Sequence, residues 1–131
     1  MIIGIGIDLV EVGRVKKLLA RHPRRAVQRL FTEREAQHCA GTRRPDESFA
    51  ARFAAKEALL KALGTGLADG ATWCDVEVIT LPGGAPRLHL RGATRQLADA
   101  RGVVRAHVTL THTREIAGAY VVLEGEHDFA T

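Results

Sequence analysis

The sequence has only two cysteines, Cys39 and Cys74, among its 131 residues. Two thiols make neither the disulfide framework of a small secreted domain nor a zinc site, so we expect both to lie partly buried in a reducing compartment. The chain also lacks an apolar run long enough to span a bilayer, and no basic segment precedes its apolar N-terminal residues as in a secretory signal. These absences predict a cytoplasmic protein without a membrane partner.

Acidic residues are missing from the stretch between Arg14 and Arg29, which carries seven cations. With a net charge of +4 and a pI of about 9.6, the chain favours an anionic partner: a nucleic acid, a phosphorylated ligand or an acidic protein. The same stretch has no aromatic side chain on which a base would stack, which argues against a nucleic-acid-binding module. The stretch is therefore either a solvated face or a docking surface.

The overall composition suits an ordinary globular protein, with 46% apolar and 26% charged residues. A chain of this length has a large surface relative to its core, so its stability margin is thin and oligomerisation would supplement it. We assign residues 1–123 to a single domain and residues 124–131 to a polar C-terminal tail, which we expect to be frayed.

The central stretch FAARFAAKEALLKALGTG, from Phe49 to Gly66, is dominated by alanine and leucine, which are strong helix formers. We predict one helix from about Glu47 to Leu63. Asp46 or Ser48 would cap its start, and Gly64 would close it in the left-handed conformation.

Four residues of this helix, spaced four apart, form one row: Phe49, Phe53, Glu57 and Lys61. A carboxylate that continues a row of two phenylalanines is expected to be partly buried, which is unfavourable unless something pairs with it. The spacing leaves two interpretations open. Either Glu57 and Lys61 pair only with each other, as residues four apart on a helix often do, or they belong to a functional site.

The N-terminal stretch MIIGIGIDLV is the predicted first strand, and its side chains alternate between two faces. The isoleucine face is expected to be core, and the glycine face would let another backbone or a ligand approach closely. The first face holds Ile3, Ile5 and Ile7, and the second holds Gly4, Gly6 and Asp8. Asp8 is either the N-cap of the following helix or a functional carboxylate.

The remaining elements follow from periodicity, turn residues and capping signals. A helix is predicted from residue 10 to 19, and Pro23 predicts a break before a second short helix. Thr32 begins a third helix with a capping box. The second half of the chain alternates as strands and contains one further helix. The predicted bounds there are strands 73–80, 86–90, 104–112 and 116–123, and a helix at 94–101.

Three polar residues lie within or at the ends of apolar elements: Asp8, Glu57 and His112. Two carboxylates can hold one hard cation, and a magnesium site commonly combines one or two carboxylates with waters and substrate phosphates. Lys61 would neutralise charge on a phosphate leaving group, and Gly64 to Gly66 would let backbone approach an anion. His112 is either an acid/base candidate or a structural side chain. These residues indicate a metal-assisted phosphate site, in a transferase or in a phosphohydrolase.

Five stretches of the chain resemble the short bacterial 4′-phosphopantetheinyl transferases, the holo-[acyl-carrier-protein] synthase family. They are GIGIDLVEVGRV, FTERE, FAARFAAKEALLKALGTG, WCDVEV with GGAPRLHL, and VTLTHTREIAGAYVV. They occur in the family's order and cover nearly all of the chain. The most specific is the K-E-A-x-x-K-A-x-G-x-G run from Lys56 to Gly66, placed after G-I-D near the N-terminus.

The resemblance implies an enzyme that transfers the 4′-phosphopantetheine arm of coenzyme A to a serine hydroxyl of apo acyl carrier protein and releases adenosine 3′,5′-bisphosphate. Fatty acid biosynthesis is the default pathway, and no nucleic acid is expected as a partner. The implied fold is a small α+β domain with an antiparallel sheet and a long central helix. It would form a homotrimer with an active site at each subunit interface.

The resemblance also assigns roles to particular residues. Asp8 and Glu57 would ligate Mg²⁺, which also binds the pyrophosphate of coenzyme A. Lys61 would contact that pyrophosphate or protonate the leaving group, and His112 would lie near the phosphates. The implied catalytic set is Glu57, Lys61 and His112, and the implied coenzyme A-binding set is Lys61, Gly64, Gly66, His112 and Arg52. The base that deprotonates the serine stays open between Glu57, a water held by the metal, and His112.

The basic segment receives a partner from the same resemblance, because the family binds the acidic carrier protein through its first helix. The expected docking residues are Arg14, Arg21, Arg24 and Arg25. Arginine suits carboxylate partners, since its guanidinium forms two parallel hydrogen bonds. One departure from the family pattern is Thr113, which follows His112 where some members carry an acid, so no acid at that position can assist here.

Overall fold

The structure, a computed structural model, describes residues 1–126. Within these residues it has five strands, five α-helices and a 3₁₀ turn. In chain order they are β1 (Ile2–Glu11), α1 (Val12–Arg21), α2 (Pro23–Leu30), α3 (Glu33–Ala40), α4 (Pro45–Leu63), the 3₁₀ turn (Trp73–Asp75), β2 (Val76–Thr80), β3 (Pro86–Leu90), α5 (Gly92–Ala100), β4 (Val103–His112) and β5 (Ile116–Gly125).

The strands form two antiparallel sheets, one of three strands in the order β1-β5-β4 and one hairpin of β2 and β3. The 19-residue helix α4 lies on the three-stranded sheet against β1 and β5, and α1, α3 and β2 pack around it. This arrangement confirms the predicted α+β fold with an antiparallel sheet and a long central helix. Among the described residues, no helix is both long and apolar enough to cross a membrane.

The prediction that the isoleucine face of β1 is core is wrong, whereas the predicted close approach of another backbone to its glycine face is confirmed. Ile5 and Ile7 are 59% and 57% exposed, and Ile3 is half-buried, whereas the glycine face packs on α4. A Cβ at Gly4 or Gly6 would lie 2.3 or 2.0 Å from an alanine carbonyl oxygen of that helix. Because glycine and alanine face each other, the two backbones approach more closely than larger side chains would allow. The apolarity of the isoleucines gave no sign of this contact.

The bounds of α4 follow from different capping residues than predicted. The helix begins at Pro45, with Arg44 at the N-cap, so neither Asp46 nor Ser48 caps it. Proline suits the first helical position because the N–H that it lacks would have no partner there. Asp46 instead lies in the first turn, where a negative charge stabilises the helix dipole. Gly64, with a φ of +78°, ends the helix as predicted.

The first helices follow β1 without a connecting loop. β1 continues to Glu11 and α1 begins directly after it, so Asp8 lies within the strand and does not cap a helix. The break at Pro23 and the second short helix are confirmed. The capping box is also confirmed, since Thr32 and Glu35 each accept a hydrogen bond from the other's backbone N–H.

Three strands of the second half have other bounds than predicted, whereas the bounds of β3 are confirmed. Trp73–Asp75 is a 3₁₀ turn, because the Asp75 carboxylate accepts hydrogen bonds from the N–H and the hydroxyl of Thr72 and so caps the turn. β5 runs to Gly125, so the first two residues of the predicted tail belong to the sheet rather than to a frayed end. Residues 127–131 of that tail lie outside the described residues.

One face of the three-stranded sheet turns away from α4. β1 presents Ile5, Ile7 and Leu9 there, with Leu9 68% exposed, and Tyr120 of β5 lies opposite Ile7. A contiguous apolar patch of this kind marks an interaction surface. We call these four residues the outer sheet face.

A buried polar cluster joins α4 to α3 and β2. The fully buried ammonium of Lys56 donates to Glu35 Oε1 at 2.8 Å, to the carbonyl of Trp73 at 3.1 Å and to the carbonyl of Val76. Glu35 Oε2 accepts from the N–H of Val78 at 2.9 Å. A charge can be buried here because it is both paired and hydrogen-bonded. We call Lys56, Glu35 and these backbone partners the Lys56 hub.

Candidate active site

The glycine face of β1 carries Asp8 to the surface of α4. Asp8 shares this face with Gly4 and Gly6, whose missing side chains let the strand lie directly on the helix. Its Oδ1 accepts a hydrogen bond of 2.9 Å from the ammonium of Lys61, which also donates to the carbonyl of Ile7 at 3.2 Å. The close contact of strand and helix therefore brings two of the predicted site residues together.

Lys61 pairs with Asp8, so the interpretation that Glu57 and Lys61 pair only with each other is wrong. The ion pair between Lys61 and Asp8 joins the helix to the strand instead. The hydrogen bond to Asp8 and the charge of that carboxylate raise the pKa of Lys61 above its ordinary value. Lys61 is thus held as a cation beside the end of β1.

Glu57 is a half-buried carboxylate beside a second carboxylate. Burial and the negative charge of Asp8 raise the pKa of Glu57, while Lys61 and Arg14 act in the opposite direction. None of the side-chain hydrogen bonds within residues 1–126 involves Glu57. A carboxylate in these surroundings is a candidate for a functional site, because an added cation would stabilise its charged form.

Asp8 and Glu57 line a cleft of about 460 Å³ between β1, α1 and α4. Arg14 and Arg21 of α1 line the same cleft, with Phe53 on the α4 side. The cleft thus offers carboxylates to a cation and guanidinium groups to an anion. We call these five residues the carboxylate cleft.

The donor set of the carboxylate cleft fits magnesium. Residues 1–126 contain no group of three or more His, Cys, Asp or Glu side chains that could hold a metal ion by themselves. Mg²⁺ does not need such a group, because it keeps several waters and binds one or two carboxylates together with substrate phosphates. Asp8 lies close enough to Glu57 for its negative charge to raise the pKa of Glu57. A cation shared by the two carboxylates would reverse that shift. Their assignment as ligands stays a prediction.

His112 lies away from the carboxylate cleft within the chain. Its Nδ1 is 3.1 Å from Oε1 of Glu47, near the start of α4, and it lines a second cleft. Three arginines line this cleft as well: Arg43, Arg44 and Arg52. We call His112 and these arginines the basic cleft, which has the character of an anion-binding site.

Arg52 is the most deeply buried residue of the basic cleft, at 5% exposed. Its two terminal nitrogens donate to the hydroxyls of Ser48 and Thr80 at 3.2 and 2.6 Å, while its buried Nε has no partner within residues 1–126. Burial and the charge of Arg52 lower the pKa of His38, which also lines the cleft. A buried guanidinium with an unused donor favours an anionic ligand. Its predicted role in coenzyme A binding stays a prediction.

Gly64 and Gly66 both have left-handed backbone, with φ of +78° and +60°. The N–H of Gly64 donates to the carbonyls of Leu60 and Lys61, so it completes the helix end and is not available to an anion. A contact of Gly64 with coenzyme A would therefore involve atoms other than its N–H, and the coenzyme A-binding roles of Gly64 and Gly66 both stay predictions.

The basic segment forms the exposed side of α1 and α2, with Arg14, Arg21, Arg24 and Arg25 all exposed. Arg14 and Arg21 line the carboxylate cleft. Arg21 and Arg25 line an adjoining cleft whose apolar wall includes Trp73. The arginines thus border the candidate active site, and their docking role stays a prediction.

Sequence reasoning did not find the structural role of Lys56. A signal was present, because Lys56 lies three residues after Phe53 and four before Leu60, and so falls on an apolar face of the helix. It also did not find that Arg43 and Arg44 share a cleft with His112, since loop residues carry no periodicity.

Comparison with known proteins identifies the class of this site. A family model described as the 4′-phosphopantetheinyl transferase superfamily matches residues 4–121. The chain is 45% identical over 124 residues to the holo-[acyl-carrier-protein] synthase of Koribacter versatilis, covering 95% of this chain and 99% of that protein. It is 46% identical over 124 residues to that of Geobacter sulfurreducens, covering 95% and 98%. The chain therefore belongs to the holo-[acyl-carrier-protein] synthase family, and it is an enzyme, a phosphopantetheinyl transferase.

Solved structures with this fold extend the comparison. The Neisseria meningitidis holo-[acyl-carrier-protein] synthase has a TM-score of 0.86 at 28% identity, covering 95% of this chain and 99% of that one. The Helicobacter pylori enzyme in complex with coenzyme A has a TM-score of 0.81 at 28% identity, covering 92% and 99%. The Bacillus anthracis enzyme in complex with CoA (3′,5′-ADP) has a TM-score of 0.78 at 36% identity, covering 96% and 99%.

Proposed function

We propose that this chain transfers the 4′-phosphopantetheine arm of coenzyme A to a serine hydroxyl of apo acyl carrier protein, in a Mg²⁺-dependent reaction that releases adenosine 3′,5′-bisphosphate. The reaction would serve fatty acid biosynthesis in the cytoplasm. Family membership supports the reaction class, and relatives solved with coenzyme A support the donor. The observation that carries the proposal is the meeting of Asp8, Glu57 and Lys61 where β1 lies on α4.

The metal assignment rests on the two carboxylates of the carboxylate cleft. Asp8 and Glu57 would hold Mg²⁺, with waters and coenzyme A phosphate oxygens as the other ligands. When bound, the ion neutralises charge on the pyrophosphate and so makes its cleavage easier. The raised pKa of Glu57 supports this assignment, because burial and the charge of Asp8 leave its ionised form short of a cation.

Phosphoryl transfer needs positioning and charge neutralisation more than covalent catalysis. Lys61, held by Asp8, would place its ammonium against the pyrophosphate and neutralise or protonate the leaving group. The serine proton also needs an acceptor as the oxygen attacks phosphorus. The acceptor stays open between Glu57, a water held by the metal, and His112.

A homotrimer with shared active sites is part of the proposal. The outer sheet face supports an assembly because its apolar side chains, such as Ile7 at 57% exposed, would be buried in one. The separation of His112 and Arg52 from Asp8 supports a shared site, because a second subunit would bring a basic cleft to each carboxylate cleft. Arg52 and His112 would then bind phosphates of coenzyme A.

The assembly is tested at the outer sheet face. Ile7→Arg places a charge in the centre of the apolar patch and should give monomers by sedimentation, with transfer lost. Val104→Arg is a matched control, because Val104 is a similarly exposed apolar residue near the start of β4, at an irregularity of the strand pairing and not opposite the four residues of the outer sheet face. A fully active monomer would contradict the shared site.

The arginines of α1 and α2 would dock the carrier protein. Exposed charges of this kind mainly steer encounter and weaken with salt. Arg14→Glu and Arg21→Glu should therefore raise the KM for the carrier and flatten its dependence on salt, while coenzyme A binding stays intact. Charge reversal that leaves the carrier KM unchanged but abolishes coenzyme A binding would assign these residues to the nucleotide instead.

The transfer itself is tested by intact mass. Apo acyl carrier protein incubated with the enzyme, coenzyme A and Mg²⁺ should gain one phosphopantetheine, and omission of Mg²⁺ with a chelator present should abolish the gain. Release of phosphopantetheine into solution without modification of the carrier would indicate a hydrolase, and the proposed function would then be wrong.

A further inference from the structure

The Lys56 hub uses every donor of one ammonium group. Lysine has three N–H donors, and here they meet three acceptors: Oε1 of Glu35, the carbonyl of Trp73 and the carbonyl of Val76. The Phe31 ring lies 5.6 Å from the ammonium nitrogen. Because Lys56 is 0% exposed, water cannot replace these contacts. The position of this side chain is therefore defined by two separate segments of the chain, residues 31–35 and 73–76.

The partners of Lys56 are themselves fixed. Glu35 Oε1 also accepts from the N–H of Thr32, and Oε2 accepts from the N–H of Val78, each at 2.9 Å. The hydroxyl of Thr32 donates to Glu77, which forms an ion pair of 2.8 Å with Arg91. α3, β2 and the residue before α5 thus form one hydrogen-bonded unit, and Lys56 attaches α4 to it.

Lys56 directly precedes Glu57, and consecutive residues of a helix point about 100° apart around its axis. A rotation of α4 that withdraws Lys56 from the hub also moves Glu57 relative to Asp8. On its other side, α4 contacts β1 through backbone next to Gly4 and Gly6, where few side chains interlock. A contact with few interlocking side chains fixes the distance between the helix and the strand. It constrains the rotation of the helix about its own axis less well. The hub supplies a directional constraint on this rotation, in addition to the buried side chains of α4 and the Lys61–Asp8 pair.

We propose that Lys56 is a positioning residue for the transfer reaction. It fixes the rotation of α4 and so holds Glu57 beside Asp8. The same rotation keeps Lys61 within hydrogen-bonding distance of the Asp8 carboxylate. Lys56 is fully buried and does not line the carboxylate cleft, so it acts through these neighbours and not on the substrate. The inference rests on the proposed role of Glu57 as a metal ligand. Small misplacements of reacting groups can lower a rate by about a hundredfold.

The test measures metal binding separately from turnover. Mn²⁺ replaces Mg²⁺ as a paramagnetic probe and is titrated into enzyme with coenzyme A but no carrier protein. Lys56→Met keeps the apolar stem and removes all three donors. At a temperature where circular dichroism shows it folded, it should bind Mn²⁺ about tenfold more weakly. Its kcat should fall by a similar factor, while its KM for the carrier stays close to wild type.

The matched control is Leu90→Ala in β3. Leu90 is a buried core residue that lies opposite Val76 but makes none of the side-chain hydrogen bonds of the hub, so its truncation lowers the urea midpoint by leaving a cavity and keeps every donor and acceptor of Lys56. It should keep wild-type Mn²⁺ affinity and kcat at that temperature. Glu35→Gln is a second test variant, because it keeps the shape of the hub and weakens the hold on Lys56. It should show the same losses as Lys56→Met, to a smaller extent.

The inference is overturned if folded Lys56→Met keeps wild-type Mn²⁺ affinity and kcat, or if Leu90→Ala loses both to the same extent. If Lys56→Met does not fold, Glu35→Gln decides by the same criteria. Glu57→Gln distinguishes this inference from the proposed function. If Glu57→Gln binds Mn²⁺ with wild-type affinity, the metal role of Glu57 is wrong. If Glu57→Gln loses Mn²⁺ affinity while Lys56→Met and Glu35→Gln keep it, only the positioning role of Lys56 is wrong.

Discussion

The two charged residues at the middle of α4 are adjacent in sequence and lie in contrasting surroundings. Lys56 is 0% exposed, and its ammonium donates to one carboxylate and two carbonyls. Glu57 is half-buried beside the carboxylate of Asp8, and burial together with that charge raises its pKa. A buried ion whose hydrogen bonds are complete belongs to the structure, whereas a partly buried carboxylate with a raised pKa and no side-chain hydrogen bond indicates a ligand site.

The same contrast separates the two regions around these residues. In the Lys56 hub, Glu35 has Lys56 as its cation, and the neighbouring Glu77 has Arg91. In the carboxylate cleft, Asp8 has the half-exposed Lys61, and Glu57 stands without a hydrogen bond from residues 1–126. Stability should therefore depend most on the hub, and chemistry most on the cleft.

The largest expected effect is on stability, at Lys56. Lys56→Met should lower the free energy of unfolding by about 3–5 kcal/mol, because it leaves the buried carboxylate of Glu35 without its cation. Urea denaturation followed by circular dichroism measures the loss. Adding Glu35→Gln to this variant removes the stranded charge and should restore part of the stability. A loss of less than about 1 kcal/mol in Lys56→Met would mean that the hub is not the structural region.

Glu57→Gln should give the opposite result. It keeps the shape of the side chain and removes a charge that burial and Asp8 disfavour, so stability should not fall. Transfer should fall by at least about a hundredfold at saturating Mg²⁺, because the site loses one of its two carboxylates. Initial rates from intact mass and urea midpoints measure the two effects. Near wild-type activity would remove Glu57 from the site.

Lys61→Met tests the cation that pairs with Asp8 of the carboxylate cleft. The side chain is 54% exposed, so losing its pair with Asp8 should change stability little. If Lys61 contacts phosphate in the transition state, turnover should fall about tenfold while coenzyme A affinity, measured by calorimetry, changes less. Unchanged turnover would mean that Lys61 only offsets the charge of Asp8.

The parts of the molecule that the sequence predicts well are those that depend on neighbouring residues. The helix α4, its end at Gly64 and the capping box at Thr32 follow from local propensity and short hydrogen bonds. The partner of Lys61 does not, because Asp8 is 53 residues away and the nearer Glu57 satisfies the same spacing rule. That the glycine face of β1 is the buried one also escaped prediction, because it has no apolar side chains, although its glycines did predict a close backbone approach.

The predicted site residues also divide into those that lie together within one chain and those that do not. Motif resemblance grouped His112 with Asp8 and Glu57, yet within the chain His112 binds Glu47 in the separate basic cleft. A motif identifies residues that act together, and it does not say whether one chain brings them together. Arg52 illustrates a related limit, because its burial and its unused Nε become visible only when the surrounding elements are packed.

The smallest expected effect is at the edge of the hub. The hydroxyl of Thr32 accepts from the N–H of Glu35 at 3.2 Å as a helix cap, and it donates to the carboxylate of Glu77. Burial by itself would raise the pKa of Glu77, but the hydroxyl of Thr32 and the charge of Arg91 lower it below the ordinary value. Thr32→Val keeps the shape, removes both contacts and should cost about 1–2 kcal/mol at neutral pH.

The pH dependence separates the two contacts of Thr32. A carboxyl whose pKa is lowered by folding contributes stability that is complete above its unfolded pKa and is lost as the pH falls through the folded pKa. The loss of unfolding free energy in Thr32→Val should therefore become smaller as the pH falls below 4.5, the ordinary pKa of glutamate. The loss that remains at low pH is the contribution of the helix cap. Thr32→Ser keeps the hydroxyl and should follow wild type in urea midpoint at each pH. A deficit that does not change with pH would mean that Thr32 acts only as a cap, with the low pKa of Glu77 due to Arg91.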